Sequence, residues 1–234
     1  MRRLSRKKRQ SGQAMIEFVL VSAFFWVPII YFMMTLGFRL TRSVELVELV
    51  NDVSQMTARG VDFSAAGNQT MLTGTLAADF GMQGNGGNTV TGGTTGPMAI
   101  VLSQYASINS NDPACNSCAN SGQIVLERRI IVGNKNLIGT QGSPASVGTI
   151  PGSDLNTTTG TCEQGDNNLP PPSQGTPSTC QYTDTHVQVS SGSFNTIMTN
   201  LPTNIGGNVG GTVFLVETYF TDISGRMAYQ RSID

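Results

Sequence analysis

Residues Phe18 to Phe38 read FVLVSAFFWVPIIYFMMTLGF, 21 positions without an Asp, Glu, Lys or Arg. At about 1.5 Å of rise per residue, an apolar helix of ~20 residues crosses the ~30 Å hydrocarbon core of a bilayer. The stretch is therefore expected to span a membrane. A secretory signal peptide is the alternative, but it has an apolar core of about 7 to 15 residues and then a small-x-small cleavage site. This run is longer and continues into GFRLTRSVEL. Pro28 lies mid-span, where it removes a helical hydrogen bond and crowds the preceding turn, so a kink or local melting near Phe24 to Pro28 is expected.

On the N-terminal side stand Arg2, Arg3, Arg6, Lys7, Lys8 and Arg9, six of the fourteen basic residues of the chain. On the other side only Arg39 and Arg42 follow closely. The positive-inside bias then places the N-terminus in the cytoplasm and everything after the span outside it. Without residues 1 to 12 the chain has eight bases against fifteen acids, a formal charge of −7. An acidic exported portion lacks the basic footprint that a nucleic-acid backbone requires, so nucleic-acid binding is excluded as a reading. A length of 234 residues accommodates one exported domain plus an anchor. Only 12% of residues are charged and 27 are glycine, which implies a loop-rich surface around a small core.

Glu17 is the sole acid among the first 44 residues and immediately precedes the uncharged run. A carboxylate at the margin of a bilayer is costly unless it reaches the headgroups or finds a cation. The local string Ser11-Gly12-Gln13-Ala14-Met15-Ile16-Glu17-Phe18 offers such a cation. Cutting after Gly12 would discard all six leader charges and leave the α-amine of Gln13 one helical turn from Glu17. A basic leader, a glycine, a glutamate at the fifth position after it and an aromatic at the sixth resemble the class III signal of the type IVb pilins. GQAMIEFVLV in particular resembles the start of a TadE-like minor pseudopilin of the Tad/Flp pilus system, over about residues 2 to 58.

The resemblance implies cleavage between Gly12 and Gln13 by a prepilin peptidase at the cytoplasmic face. It also implies a helix held in the bilayer until assembly, with Glu17 and Phe18 in subunit contacts. The implied partners are the prepilin peptidase, other pilin and pseudopilin subunits, the inner-membrane assembly platform and the lipid bilayer. The implied location is a bacterial inner membrane, single-pass, with the C-terminal domain periplasmic or extracellular.

Beyond the span, Val44, Leu46, Val47, Leu49, Val50, Val53 and Met56 recur three and four apart among Glu45, Glu48, Asn51, Asp52 and Gln55. This continues the helix to about Arg59, with Gly60 as its stop. The stripe can pack under the exported domain or against helices of other subunits. Residues 81 to 97, GMQGNGGNTVTGGTTGP, read as a flexible linker or long loop. Strands are expected at Met98 to Ile108, Gln123 to Val132, His186 to Val189, Thr212 to Phe220 and Met227 to Ile233. The expected organisation is a leader at 1–12, a transmembrane and extended helix at 13–59, a Gly-rich linker at 60–97 and a β-rich domain at 98–234. The fold class is α+β and pilin-like: a long N-terminal helix followed by a small antiparallel sheet with long Gly/Asn/Thr-rich loops.

Cys115, Cys118, Cys162 and Cys180 form an even set in the exported part, where an oxidising compartment favours disulfides. Of three possible pairings, Cys115 with Cys118 and Cys162 with Cys180 is favoured because each closes a local loop. A zinc site at Cys115-x-x-Cys118 competes, but the later cysteines are far apart and His186 is the only histidine, so no metal and no cofactor is expected. Recognisable catalytic fingerprints for hydrolysis, phosphate transfer or dinucleotide binding are missing. A non-enzymatic assembly subunit is the leading reading, and an uncleaved membrane-anchored binding module is the alternative.

Overall fold

A single element dominates the N-terminal quarter of the chain. In the structure, a computed structural model, α1 runs from Lys7 to Ala58 as an uninterrupted α-helix. The described residues are 7–84, 91–108, 118–140, 188–189, 212–221, 225 and 227–233. Helix α1 starts upstream of Gln13, where the sequence places the helical segment, because Lys, Arg and Gln are good helix formers and carry the backbone through Ser11-Gly12. The turn before Pro28 keeps its α-helical conformation, so the expected melting there does not occur.

The helix ends on a glycine. Gly60 has φ +86°, its N–H donates to Thr57 O at 2.9 Å, and the N–H of Val61 donates to Met56 O at 3.0 Å. This pair of reversed bonds closes the last carbonyls of a helix around a left-handed residue.

The chain divides into two compact units, Met1–Glu45 and Leu46–Asp234. In the second, Leu46, Leu49, Val50 and Val53 are buried, a stripe with the three-and-four spacing of one helix face. They meet Met98, Ile100, Leu102, Ile130, Val132 and Val216 from the sheet.

Where a Gly-rich linker is expected at 60–97, the described residues 60–84 and 91–97 hold a short helix α2 (Ala66–Met71), a π-helical turn (Leu72–Leu76), a 3-10 turn (Ala78–Phe80) and an edge strand β1 (Thr91–Gly93). Phe63, Leu72, Ala77, Phe80 and Met82 complete the core under the sheet. The glycines there obscure a local pattern of large apolar residues that has no other place to be buried.

The sheet has the order β1-β3-β2-β4-β5, with β2 at Met98–Ser107, β3 at Ile124–Asn134, β4 at Thr212–Thr221 and β5 at Met227–Ile233. Strands β2, β3, β4 and β5 pair antiparallel, as expected, but β1 lies parallel to β3. The sheet is therefore mixed. Around His186–Val189 the described residues give one antiparallel bridge, Val125 with Gln188, and His186 lies outside them.

Two glycines allow close approach around β3, Gly92 between β1 and β3 and Gly133 between β3 and β2. A Cβ on Gly92 would stand 2.7 Å from Ile131 Cγ2 and 3.1 Å from Gly133 O. Gly133 has φ +90°, and a Cβ there would collide with Met98 O. Gly92 has φ +79° as well, so both positions need a residue without a side chain, for close approach and for backbone conformation alike. Gly133→Ala should lower stability by about 2 kcal/mol or more, whereas Gly60→Ala, at a positive φ but with open space around it, should cost less. Urea midpoints of the two variants against the parent would check this, and equal shifts would contradict it.

Candidate functional site

The surface of the first unit is the most unusual feature of the molecule. From Met15 to Leu40 nearly every large apolar side chain of α1 is exposed, including Phe18 at 73%, Phe24 at 86% and Trp26 at 56%. Soluble proteins rarely expose contiguous apolar surface on this scale. Two threonine hydroxyls on this helix bond back to its own backbone: Thr35 donates to Tyr31 O at 2.7 Å and Thr41, just past the run, donates to Gly37 O at 3.1 Å. Such back-bonding suits a helix surrounded by hydrocarbon. This helix is long and apolar enough to cross a membrane.

Gly12 and Gln13 lie within the helical backbone of α1, and Glu17 and Phe18 are exposed on it. Gln13 and Glu17 are one helical turn apart along the same element. Cys118 is disulfide-bonded. Cys115, Cys162 and Cys180 lie outside the described residues, so the pairing stays open.

In the second unit, the sheet face opposite α1 carries a buried polar network. Arg129 donates from Nε to Ser103 Oγ at 3.1 Å and from Nη2 to the Tyr105 hydroxyl at 2.9 Å. Glu217 Oε1 accepts from the Tyr229 hydroxyl at 3.0 Å and from the Tyr219 hydroxyl at 3.3 Å. Glu217, Tyr105 and Tyr219 are fully buried, and the Tyr219 and Tyr229 rings pack with centroids 5.2 Å apart. Burial, and then the nearby Glu217 carboxylate, push the hydroxyls of Tyr219 and Tyr229 well above the ordinary tyrosine value. They stay protonated and act as donors. The network joins Arg129 to hydroxyls on β2 and Glu217 to hydroxyls on β4 and β5, contacts that favour the observed strand register.

The sequence reading did not single these residues out. A signal existed: Glu217 is the one charge in TVFLVETYFT, and Glu127, Arg128 and Arg129 interrupt an otherwise apolar strand. A β-bulge between Gln104 and Tyr105 leaves Glu127 without a place in the β2 register. Gln104 Nε2 donates to Glu127 Oε2 at 2.9 Å, and burial raises the carboxyl of Glu127 against that bond.

On the α1 side, a small cleft of about 120 Å³ is lined by Thr57, Val61, Phe63, Gln104, Arg128 and Phe214, among others. Its rim is held by Arg128, whose Nη2 donates to Asp62 Oδ1 at 2.5 Å and to Ser64 Oγ at 3.0 Å. The same Asp62 oxygen accepts from the Ser64 backbone N–H at 2.8 Å and the Ser64 hydroxyl at 2.7 Å. This cluster ties the turn after α1 to β3. Among the described residues, no group of three or more His, Cys, Asp and Glu is arranged to hold a metal ion.

No protein-family model, curated protein or solved structure matches the chain.

Burial raises the carboxyl of Asp62, but the Ser64 hydrogen bonds and the Arg128 guanidinium outweigh it and hold the group below the usual 3.8. An acid with a depressed folded pKa stabilises above its unfolded pKa and loses that contribution as pH falls through the folded value. The Asp62 contribution should be complete at pH 5 and fade on acidification through 3.8 and below. Denaturation midpoints from pH 5 to pH 2 should show a shallower acid limb in Asp62→Asn than in the parent. Parallel curves would remove Asp62 from the acid response.

Proposed function

We propose that the chain is a minor, TadE-like pilin subunit that assists assembly of a Tad/Flp-type pilus in a bacterial envelope, without catalytic activity of its own. The observation that carries this reading is α1. Residues Phe18 to Phe38 expose an unbroken apolar surface, and residues Leu46 to Ala58 of the same element belong to the unit that contains the sheet. One helix thus provides an anchor and a piece of a folded domain, which is the economy required of a subunit held in lipid before assembly. The leader, Gly12, Gln13, Glu17 and Phe18 add the spacing of a class III signal. In this reading the N-terminus is cytoplasmic, the sheet domain is exported, and the partners are the prepilin peptidase, other pilin subunits and the assembly platform.

A second reading, an uncleaved anchored binding module, is favoured by one observation. Helix α1 begins at Lys7 and runs through the Gly12–Gln13 peptide. A peptidase would have to unwind that turn to reach the bond.

Mass spectrometry of the membrane-extracted protein, made with and without the prepilin peptidase, separates the two. A chain starting at Gln13 only when the peptidase is present is the expected result, and an intact leader in both samples would leave the anchored module. Glu17→Ala should lower assembled pilus by on the order of tenfold or more, because the new amine would lose its counter-charge in an apolar setting. Normal filament yield from that variant would argue against a role for Glu17 in assembly.

A further inference from the structure

The strand order leaves two edges, and they are built differently. Strand β1 is 3 residues long, a common way of blunting an edge, whereas β5 has 7 residues, no proline and an unbroken register with β4. We propose that the outer edge of β5 is a docking site for an extended, acid-bearing segment of another polypeptide, which adds to the sheet as a further antiparallel strand. The inference goes beyond the pilin reading and holds for a cleaved or an uncleaved chain.

The backbone supplies the site. Thr221 N–H donates to Pro97 O at 2.8 Å, so Thr221 and every second residue before it turn their backbone groups toward β2. The residues between them face β5, and one of these, Thr218, also donates its hydroxyl to Gln230 O at 3.4 Å. Ala228, Gln230 and Ser232 therefore exchange bonds with β4, while Met227, Tyr229, Arg231 and Ile233 point N–H and C=O away from it. Among the described residues no strand and no hydrogen bond meets those outward groups. A row of such donors and acceptors is matched by an extended peptide backbone.

Side chains select the occupant. Arg231 is the only charge on β5 and is exposed, on the sheet face that also carries Tyr229. An added strand fits with a carboxylate across from Arg231 and an apolar side chain across from Tyr229. Strand β4 already offers this pattern to the inner side of β5, with Glu217 opposite Arg231 and Tyr219 opposite Tyr229. A second copy's β5 fits less well. Two-fold antiparallel pairing would turn Leu46–Ala58 of one copy against that of the other, whereas copies anchored in one bilayer run the same way.

The test uses the full chain in nanodiscs and a synthetic peptide as long as β5, alternating valine and threonine with one glutamate set opposite Arg231. Residue-resolved hydrogen exchange of the protein alone should show fast amides at Tyr229 and Arg231 beside slow ones at Gln230 and Ser232. Adding the peptide should slow Tyr229 and Arg231 by on the order of tenfold. Lysine in place of the glutamate should weaken binding roughly fivefold, and N-methylation of the peptide amides that face β5 should abolish it. Slow exchange at Tyr229 and Arg231 without peptide would mean an edge already covered, by a second copy or by this chain itself, and would overturn the proposal. Fast exchange that millimolar peptide leaves unchanged, or equal binding of the glutamate, lysine and N-methylated peptides, would overturn it as well.

Discussion

The contact between one helical stripe and one sheet face organises the folded domain. Leu46, Leu49, Val50 and Val53 descend the same side of α1 and meet Met98, Ile100 and Leu102 on β2, with Ile130, Val132 and Val216 from its neighbours. Each side chain of this size contributes about 1.5 to 3 kcal/mol when fully buried. The rest of the domain is arranged around this contact. Phe63, Leu72, Phe80 and Met82 pack around the same core, with the Phe80 ring edge-on to Phe220 at 5.2 Å. The turn at Gly60 and the Asp62–Arg128 pair then hold the helix end against β3.

The longer elements were legible in the sequence because each carries a pattern stronger than its surroundings. The apolar run announces a helix through length and composition, and the three-and-four spacing after it announces the buried face. Strands β2 to β5 were placed within a residue or two at most ends, since β-branched and aromatic clusters there are bounded by turn residues. Glycine content signals flexibility when the backbone is unsupported, but in the described part of 60 to 97 Gly92 permits a close approach of β1 to β3. Asn134 and Asn136 hold the loop after β1 by bonds from their side-chain amides to Gly96 O and Thr94 O. Such support comes from residues about forty positions away and has no local signature.

The candidate site divides in the same way. Glu17, Phe18 and the exposed apolar surface follow from one contiguous stretch and need no tertiary information. The Arg129 and Glu217 network depends on register: Ser103 faces Arg129 across β2 and β3, while Val101 faces Glu217 across β2 and β4. Periodicity places a charge in a strand, but only the pairing of three strands shows which hydroxyls satisfy it. The bulge that sets Glu127 outside the β2 register is equally invisible before the pairing is known.

Burial on both faces of the sheet has a consequence before folding begins. Strands β2 and β4, MAIVLSQYAS and TVFLVETYFT, are apolar on both sides and contain no proline, the composition that favours intermolecular β-stacking in an extended chain. β4 has Glu217 as its only charge, and β3 has Glu127, Arg128 and Arg129. The residues that lock the finished sheet therefore also act as gatekeepers in the nascent chain, interrupting sticky segments until their tyrosine, serine and glutamine partners arrive.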